Sequence, residues 1–205
     1  MNMLTSIEFL AVLISGIYGV LLACRKQFDA VGIFTVAFTV AFGGGTLRDI
    51  LLDRRPLFWI ENDHYVMMVM GVTLIGAFLP RGLVKMERFL AIPDALGLAL
   101  FSIVGTGFAM EAGTSPFIAA IFGVITGTFG GVIAEVICNE IPSLFRSAPL
   151  YAICSFSGSS VYLVSRAITE HDNVSILLGV IVVVGFRWTA LRWNIQLPNA
   201  SLDSK

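Results

Sequence analysis

Apolar runs of about 20 residues recur along this 205-residue chain, and that length is what an α-helix needs to cross the hydrocarbon core of a bilayer. Inside hydrocarbon every backbone N–H and C=O must be satisfied within the protein, so only helices or closed barrels can span it. Long runs without strict alternation select helices. Seven spans are predicted, at 4–23, 31–52, 65–79, 91–110, 116–138, 150–167 and 174–191. The expected fold class is an all-α membrane protein with seven transmembrane helices. Charged residues are 13% of the chain against 57% hydrophobic, whereas soluble domains carry about a quarter charged residues.

The first run is read as a span and not as a signal peptide, because it contains Glu8 and ends at Arg25-Lys26 without a small-residue cleavage site. With seven spans, one side holds Arg25, Lys26, Arg81, Lys85, Arg88, Arg146, Arg187, Arg192 and Lys205, and the other Arg54, Arg55 and Arg166. Basic residues accumulate in cytoplasmic loops, so the N-terminus is expected outside and the C-terminus in the cytoplasm. No basic run exists that would hold nucleic acid. Cys24, Cys138 and Cys154 lack metal-ligand spacing, and their odd number gives no disulfide framework. The tail 198–205 reads as a short disordered end.

The chain repeats itself at an offset of 86: the segment 42–56 overlies 128–142 without a gap. Gly44 meets Gly130, Gly45 meets Gly131, Asp49 meets Glu135, Asp53 meets Asn139 and Pro56 meets Pro142. Glu8 falls over Asp94, Gly19 over Gly105 and Tyr65 over Tyr151. This divides the chain into a three-helix unit at 1–90, a second at 91–168, and a seventh helix with its tail at 169–205. Each unit has an odd number of spans, so the second is expected to be inverted. Inverted repeats are a building plan of transporters, which hold their cargo near the midplane between the repeats.

Gly43-Gly44-Gly45 and Gly130-Gly131 lie in the middle of the second and fifth spans, where each glycine costs about 1 kcal/mol relative to alanine. Two readings are open: the glycines break the helices beside a cavity, or they let helices pack closely, as Gly123-x-x-x-Gly127 suggests for one face. On the first reading Thr46 and Asp49 form a capping box that restarts the helix. Arg48, Asp49 and Glu135 lie within apolar spans and would each cost about 2.5–3.5 kcal/mol facing lipid. They are expected to meet in one interior cluster, either along an ion pathway or as a structural pair between the units. Glu8 and Asp94 are placed at the two mouths, with Ser15, Tyr18, Ser102 and Thr106 continuing a polar stripe. His64 and His171 flank spans, and no catalytic or phosphate-binding motif is present. No cofactor is expected, and Asp49 with Asp53 is too thin a ligand set for a metal.

At Gly43-Gly-Gly-Thr-Leu-Arg-Asp49, followed by Arg55-Pro56 and Phe58-Trp59, the chain resembles prokaryotic members of the trimeric intracellular cation channel family. Arg25-Lys26, Phe28-Asp29, Gly32, Pro93-Asp-Ala-Leu-Gly97 and Asn139-Glu-Ile-Pro142 extend the likeness, which runs from Glu8 to Trp193. The resemblance implies seven helices in an inverted three-plus-three repeat and a homotrimer in the lipid of the bacterial inner membrane. It also implies one pore per protomer around kinked second and fifth helices, passing monovalent cations, chiefly K⁺. The family has also been labelled as a glycine transporter, which implies a carrier for a small zwitterion as the alternative. The chain departs from the family pattern in having Ala134-Glu135 where Arg-Asp is usual, Glu8 where Asp is usual, and only two glycines after Phe129.

Overall fold

A computed structural model of the chain describes residues 3–78, 87–145, 150–169 and 171–196. These residues form eight helices: α1 Met3–Arg25, α2 Ala30–Leu51, α3 Phe58–Glu61, α4 Asp63–Ala77, α5 Glu87–Glu111, α6 Pro116–Ile137, α7 Tyr151–Thr169 and α8 Asp172–Arg192. Five of them, α1, α2, α5, α6 and α8, are long and apolar enough to cross a membrane. The other two expected spans fall short for different reasons. Helix α4 is apolar but has 15 residues, about 22 Å at 1.5 Å per residue. Helix α7 has 19 residues but buries Ser155, Ser159, Tyr162 and Ser165, so its polarity serves contacts inside the protein. The expected end of the third span at Leu79, and the tail 198–205, lie outside the described residues. So do the loop charges Arg81, Lys85, Arg146 and Lys205, and the side chain of Arg88.

The offset of 86 reappears in the helix boundaries and their caps. Asp29 caps α2 by accepting from the Gly32 amide, and Ser115 caps α6 by accepting from the Ile118 amide, each pair 86 residues from its counterpart. Both helices end the same way. The Arg54 amide returns to the Asp49 carbonyl and the Glu140 amide to the Glu135 carbonyl, each at 2.8 Å. Asp53 and Asn139 take positive φ, 51° and 56°, the left-handed conformation that closes many helices and that these residue types tolerate. Gln27 and Gly113, after α1 and α5, have positive φ at the same offset.

Packing is paired likewise. Helix α1 lies on α2 and α4, while α5 lies on α6 and α7; α1 also packs along α5, and α2 against α6. Leu4 lies beside Gly107 and Ser15 beside Gly97, so α1 and α5 run antiparallel. Helix α8 docks on α7 and α5 through a small-residue seam, where a Cβ on Gly158 would collide with Val183. The largest apolar core gathers Val12, Val36, Phe42, Phe58 and Tyr65 between α1, α2, α3 and α4.

The glycines do not break the helices. Helix α2 runs unbroken through Gly43–Gly45, and α6 through Gly130 and Gly131. A side chain at Gly44 would collide with the Thr126 carbonyl oxygen, and one at Gly130 with the Val40 carbonyl oxygen; Val40 and Thr126 are themselves 86 residues apart. The two backbones therefore touch at their crossing, and the close-packing reading holds here. The expected capping box is absent: Thr46 is inside α2, where its hydroxyl accepts from Trp59 Nε1 at 3.0 Å. At Gly45 a Cβ would meet the Phe58 ring, so this glycine is the seat of α3.

Gly44→Val is expected to force α2 and α6 apart and lower stability by roughly 1–3 kcal/mol or more, the usual cost of overpacking. Gly185→Ala, at a position with nothing within 4 Å, is expected to leave stability unchanged or raise it by up to about 1 kcal/mol. Thermal unfolding of the detergent-solubilised protein compares the two.

Candidate functional site

Two polar clusters occupy opposite ends of the helix bundle. The first joins the start of α1, the end of α2 and the α2–α3 turn. Arg48 is fully buried and Glu8 and Asp49 nearly so. Arg48 Nε donates to Asp49 Oδ1 at 2.8 Å, and Nη1 lies 3.0 Å from Glu8 Oε1. The latter contact is ionic and too oblique for a hydrogen bond, since neither atom has a hydrogen-bonding partner. Asp49 Oδ2 accepts from the Phe58 amide at 2.9 Å, and Arg54 lies 3.5 Å from Oδ1. The Arg48 guanidinium also sits 4.6 Å from the Phe108 ring centroid and 5.2 Å from that of Phe58. Two arginines thus face two carboxylates, and this cluster is balanced in charge.

This corrects two expectations. Arg48 meets Glu8 and Asp49, and Glu135 is not part of its cluster. Glu8 is no open mouth: it is 2% exposed and serves as the second counter-ion of Arg48.

The second cluster lies where α1, α5, α6, α7 and α8 converge. Arg187 Nη2 donates to Asp94 Oδ2 at 3.1 Å, and the Tyr151 hydroxyl donates to Asp94 Oδ1 at 2.7 Å. The Arg187 guanidinium covers the Tyr151 ring at 4.4 Å. Glu135 Oε2 accepts from the Ser143 amide at 2.7 Å and Oε1 from the Ser143 hydroxyl at 2.6 Å. As Asp49 does with Phe58, the carboxylate takes a backbone amide just past the matching proline, here one residue nearer than the offset of 86 would give. Glu140 pairs with Lys26 near the surface.

Two small cavities meet at this cluster, each of about 20 Å³, room for about one water molecule. One is lined by Ser15, Tyr18, Asp94, Thr126, Gly131 and Tyr151 among others. The second adds Thr128, Glu135 and Ser143 to Tyr18, Asp94, Gly131 and Tyr151. Larger hollows of about 390 to 620 Å³ are open grooves on the outer surface, without Asp94 or Glu135 in their walls.

Of the residues singled out in the sequence, Ser15, Tyr18, Asp94, Gly131 and Glu135 are thus brought together around these cavities. Gly43, Gly44 and Gly130 sit at the helix crossing and Gly45 under the Phe58 ring. Arg48, Asp49 and Glu8 belong to the first cluster, with Thr46 beside it on Trp59. Ser102 and Thr106 go elsewhere. Their hydroxyls lie 2.6 and 2.9 Å from those of Ser155 and Ser159, forming a ladder between α5 and α7. Gly123 and Gly127 of α6 press against this ladder. Among the described residues no group of three or more His, Cys, Asp or Glu side chains is placed to hold a metal ion.

Arg187 is the residue that the sequence reading misplaced. Counted as a loop charge, it is 6% exposed inside α8. The available signal was its position within the last apolar run, five residues before Arg192.

A family model described as glycine transporter matches residues 5–81 and again residues 91–167, two matches displaced by the same 86 residues. A UPF0126 membrane protein of Vibrio cholerae is 34% identical over 202 residues, 98% of this chain and 84% of that protein. The UPF0126 inner membrane protein YadS of Escherichia coli K12 is 32% identical over 199 residues, 96% of each chain. Among solved structures, the trimeric intracellular cation (TRIC) channel orthologue from Rhodobacter sphaeroides superposes with a TM-score of 0.86 at 29% identity. That match covers 95% of this chain and 100% of the other.

Removing one member of a buried ion pair strands the other charge, at a typical cost of 3–5 kcal/mol. Arg48→Ala is expected to destabilise the protein by about that amount, with part of the loss recovered by adding Glu8→Gln. Lys26→Ala, which breaks a half-exposed pair, is expected to change stability by less than about 1 kcal/mol. Thermal melts of the three variants in one detergent test the ordering.

Proposed function

We propose a function for this chain from the premise that it belongs to the glycine-transporter family, with the UPF0126 membrane proteins and the TRIC channels: it conducts small monovalent cations, K⁺ among them. The observation that carries this is the second cluster. Asp94 and Glu135, set in apolar helices, both line a small cavity between α1, α5, α6 and α7, and among the described residues Arg187 is the cation bonded to Asp94 beside it. Excess negative charge in a narrow polar route attracts cations and repels anions. The likeness to the Rhodobacter channel orthologue along the whole chain supports the same reading.

The proposed route runs past Ser15, Tyr18, Asp94, Gly131 and Glu135, one route per protomer of a homotrimer. With space for about one water in each chamber, the described state is closed, and conduction requires the surrounding helices to loosen. The units 1–90 and 91–168 are proposed to be inverted copies, with 169–205 added. The matched caps and the antiparallel run of α1 along α5 support this. The chain is placed in the bacterial inner membrane with its N-terminus outside, a placement consistent with the inner-membrane name of the Escherichia coli relative.

The description of the matching family model favours a second reading, a carrier for glycine. Single-channel recording of the purified protein in planar bilayers separates the two. Discrete K⁺ currents without glycine are expected; saturable, gradient-coupled glycine uptake without unitary currents would replace the channel by the carrier. A unit charge about 4 Å from an ion contributes about 1 kcal/mol even in water-like surroundings, equal to about fivefold in local cation concentration. Glu135→Gln is therefore expected to lower unitary K⁺ conductance by up to about fivefold at low salt, and by much less at 1 M, where screening is strong.

A further inference from the structure

We infer that Arg187 is a positioning residue that holds the neck between the two cavities closed, an inference that rests on the conduction route proposed above. Tyr18, Asp94, Gly131 and Tyr151 are the four residues shared by both cavities, so they form the passage from one to the other. Two of the three side chains with polar groups there are held by one guanidinium. Arg187 binds Asp94 and lies over the Tyr151 ring, and the Tyr151 hydroxyl closes the triangle on Asp94. A Cβ at Gly131 would lie 3.8 Å from that same hydroxyl. Tyr151 therefore reaches from α7 across the face of α6 to α5, and the neck stays narrow while this triangle is intact.

The origin of the cation is the informative part. In the first unit the arginine comes from the repeat itself, as Arg48 beside Asp49 in α2. Its equivalent in the second unit is Ala134, and the charge is supplied instead by α8, outside the duplicated segments. Helix α8 packs chiefly on α7 and α5, and its Gly158–Gly179–Val183 seam docks it without Arg187. A small shift of α8 can withdraw the guanidinium without disturbing the backbone crossing of α2 and α6.

Withdrawal has two effects at once. Tyr151 loses the cation over its ring and Asp94 its second partner, which leaves one hydrogen bond between them and lets the neck widen. The Asp94 carboxylate also loses its counter-charge and joins Glu135 in facing the route. Opening and the rise in cation attraction are then one event.

The test compares wild type with Arg187→Gln, Arg187→Lys and Tyr151→Phe in planar bilayers in symmetric KCl. Arg187→Gln is expected to raise open probability roughly tenfold, as for loss of a charge-assisted hydrogen bond, with unitary conductance equal or higher. Arg187→Lys, which keeps the charge, is expected to restore most of the closed behaviour, a rescue that a purely structural defect would not show. Tyr151→Phe is expected to shift open probability in the same direction as Arg187→Gln. A second readout needs no current: thiol labelling of Ser15→Cys, above the background set by Cys24, Cys138 and Cys154, is expected to quicken when Arg187→Gln is added. If wild type conducts while open probability and labelling rate are unchanged in Arg187→Gln and Tyr151→Phe, the latch is refuted and the channel reading stands. If wild type carries no K⁺ current, the channel reading fails. The labelling comparison then decides the latch alone, and an unchanged rate refutes it.

Discussion

Everything in this bundle is arranged around one contact, the crossing of α2 and α6 at Gly44 and Gly130. Backbone meets backbone there, each glycine lying under a carbonyl of the opposing helix. Small residues permit this approach in membranes, where association depends on packing rather than on a hydrophobic drive. Because the contact is its own counterpart at an offset of 86, it also sets how the two matched segments, 5–81 and 91–167, face each other. The caps, the helix ends and the pairing of α1 with α5 follow the same relation.

On either side of that crossing the chain buries charge, and the two ends do so differently. At one end Arg48 and Arg54 balance Glu8 and Asp49, with aromatic rings of Phe58 and Phe108 packed over the guanidinium groups. The buried pairs of Arg48 with Glu8 and Asp49 are costly to disrupt, so this cluster ties α1 to α2. At the other end Ala134 replaces the arginine, Arg187 enters from α8, and Asp94 and Glu135 border cavities. Asymmetry between the two matched segments is what leaves one end bordered by cavities.

Much of the fold was legible because it follows from local chemistry. Apolar run length is a property of neighbouring residues. So are the caps at Asp29 and Ser115 and the left-handed closure at Asp53 and Asn139, which the reading of the sequence passed over. Part of the candidate site was legible for the same reason: a carboxylate such as Glu135 in an apolar helix must turn inward, whereas Asp94, expected at a mouth, lies between the two cavities. The glycine clusters were ambiguous, because the same residues that permit a break also permit close approach, and only the partner helix decides between them. Thr46 and Asp49 match the spacing of a capping box, yet tertiary contacts with Trp59 and Phe58 take both side chains.

The sequence by itself determined a helical membrane protein, a duplication at an offset of 86, and the acidic residues that such a scaffold must bury. Tertiary structure alone decided the pairing of those charges: Arg48 with Glu8 rather than Glu135, and Arg187 with Asp94. The reason is that helix formation depends on residues three or four apart, whereas an ion pair depends on which distant helices are brought within about 3 Å, and no local pattern carries that information.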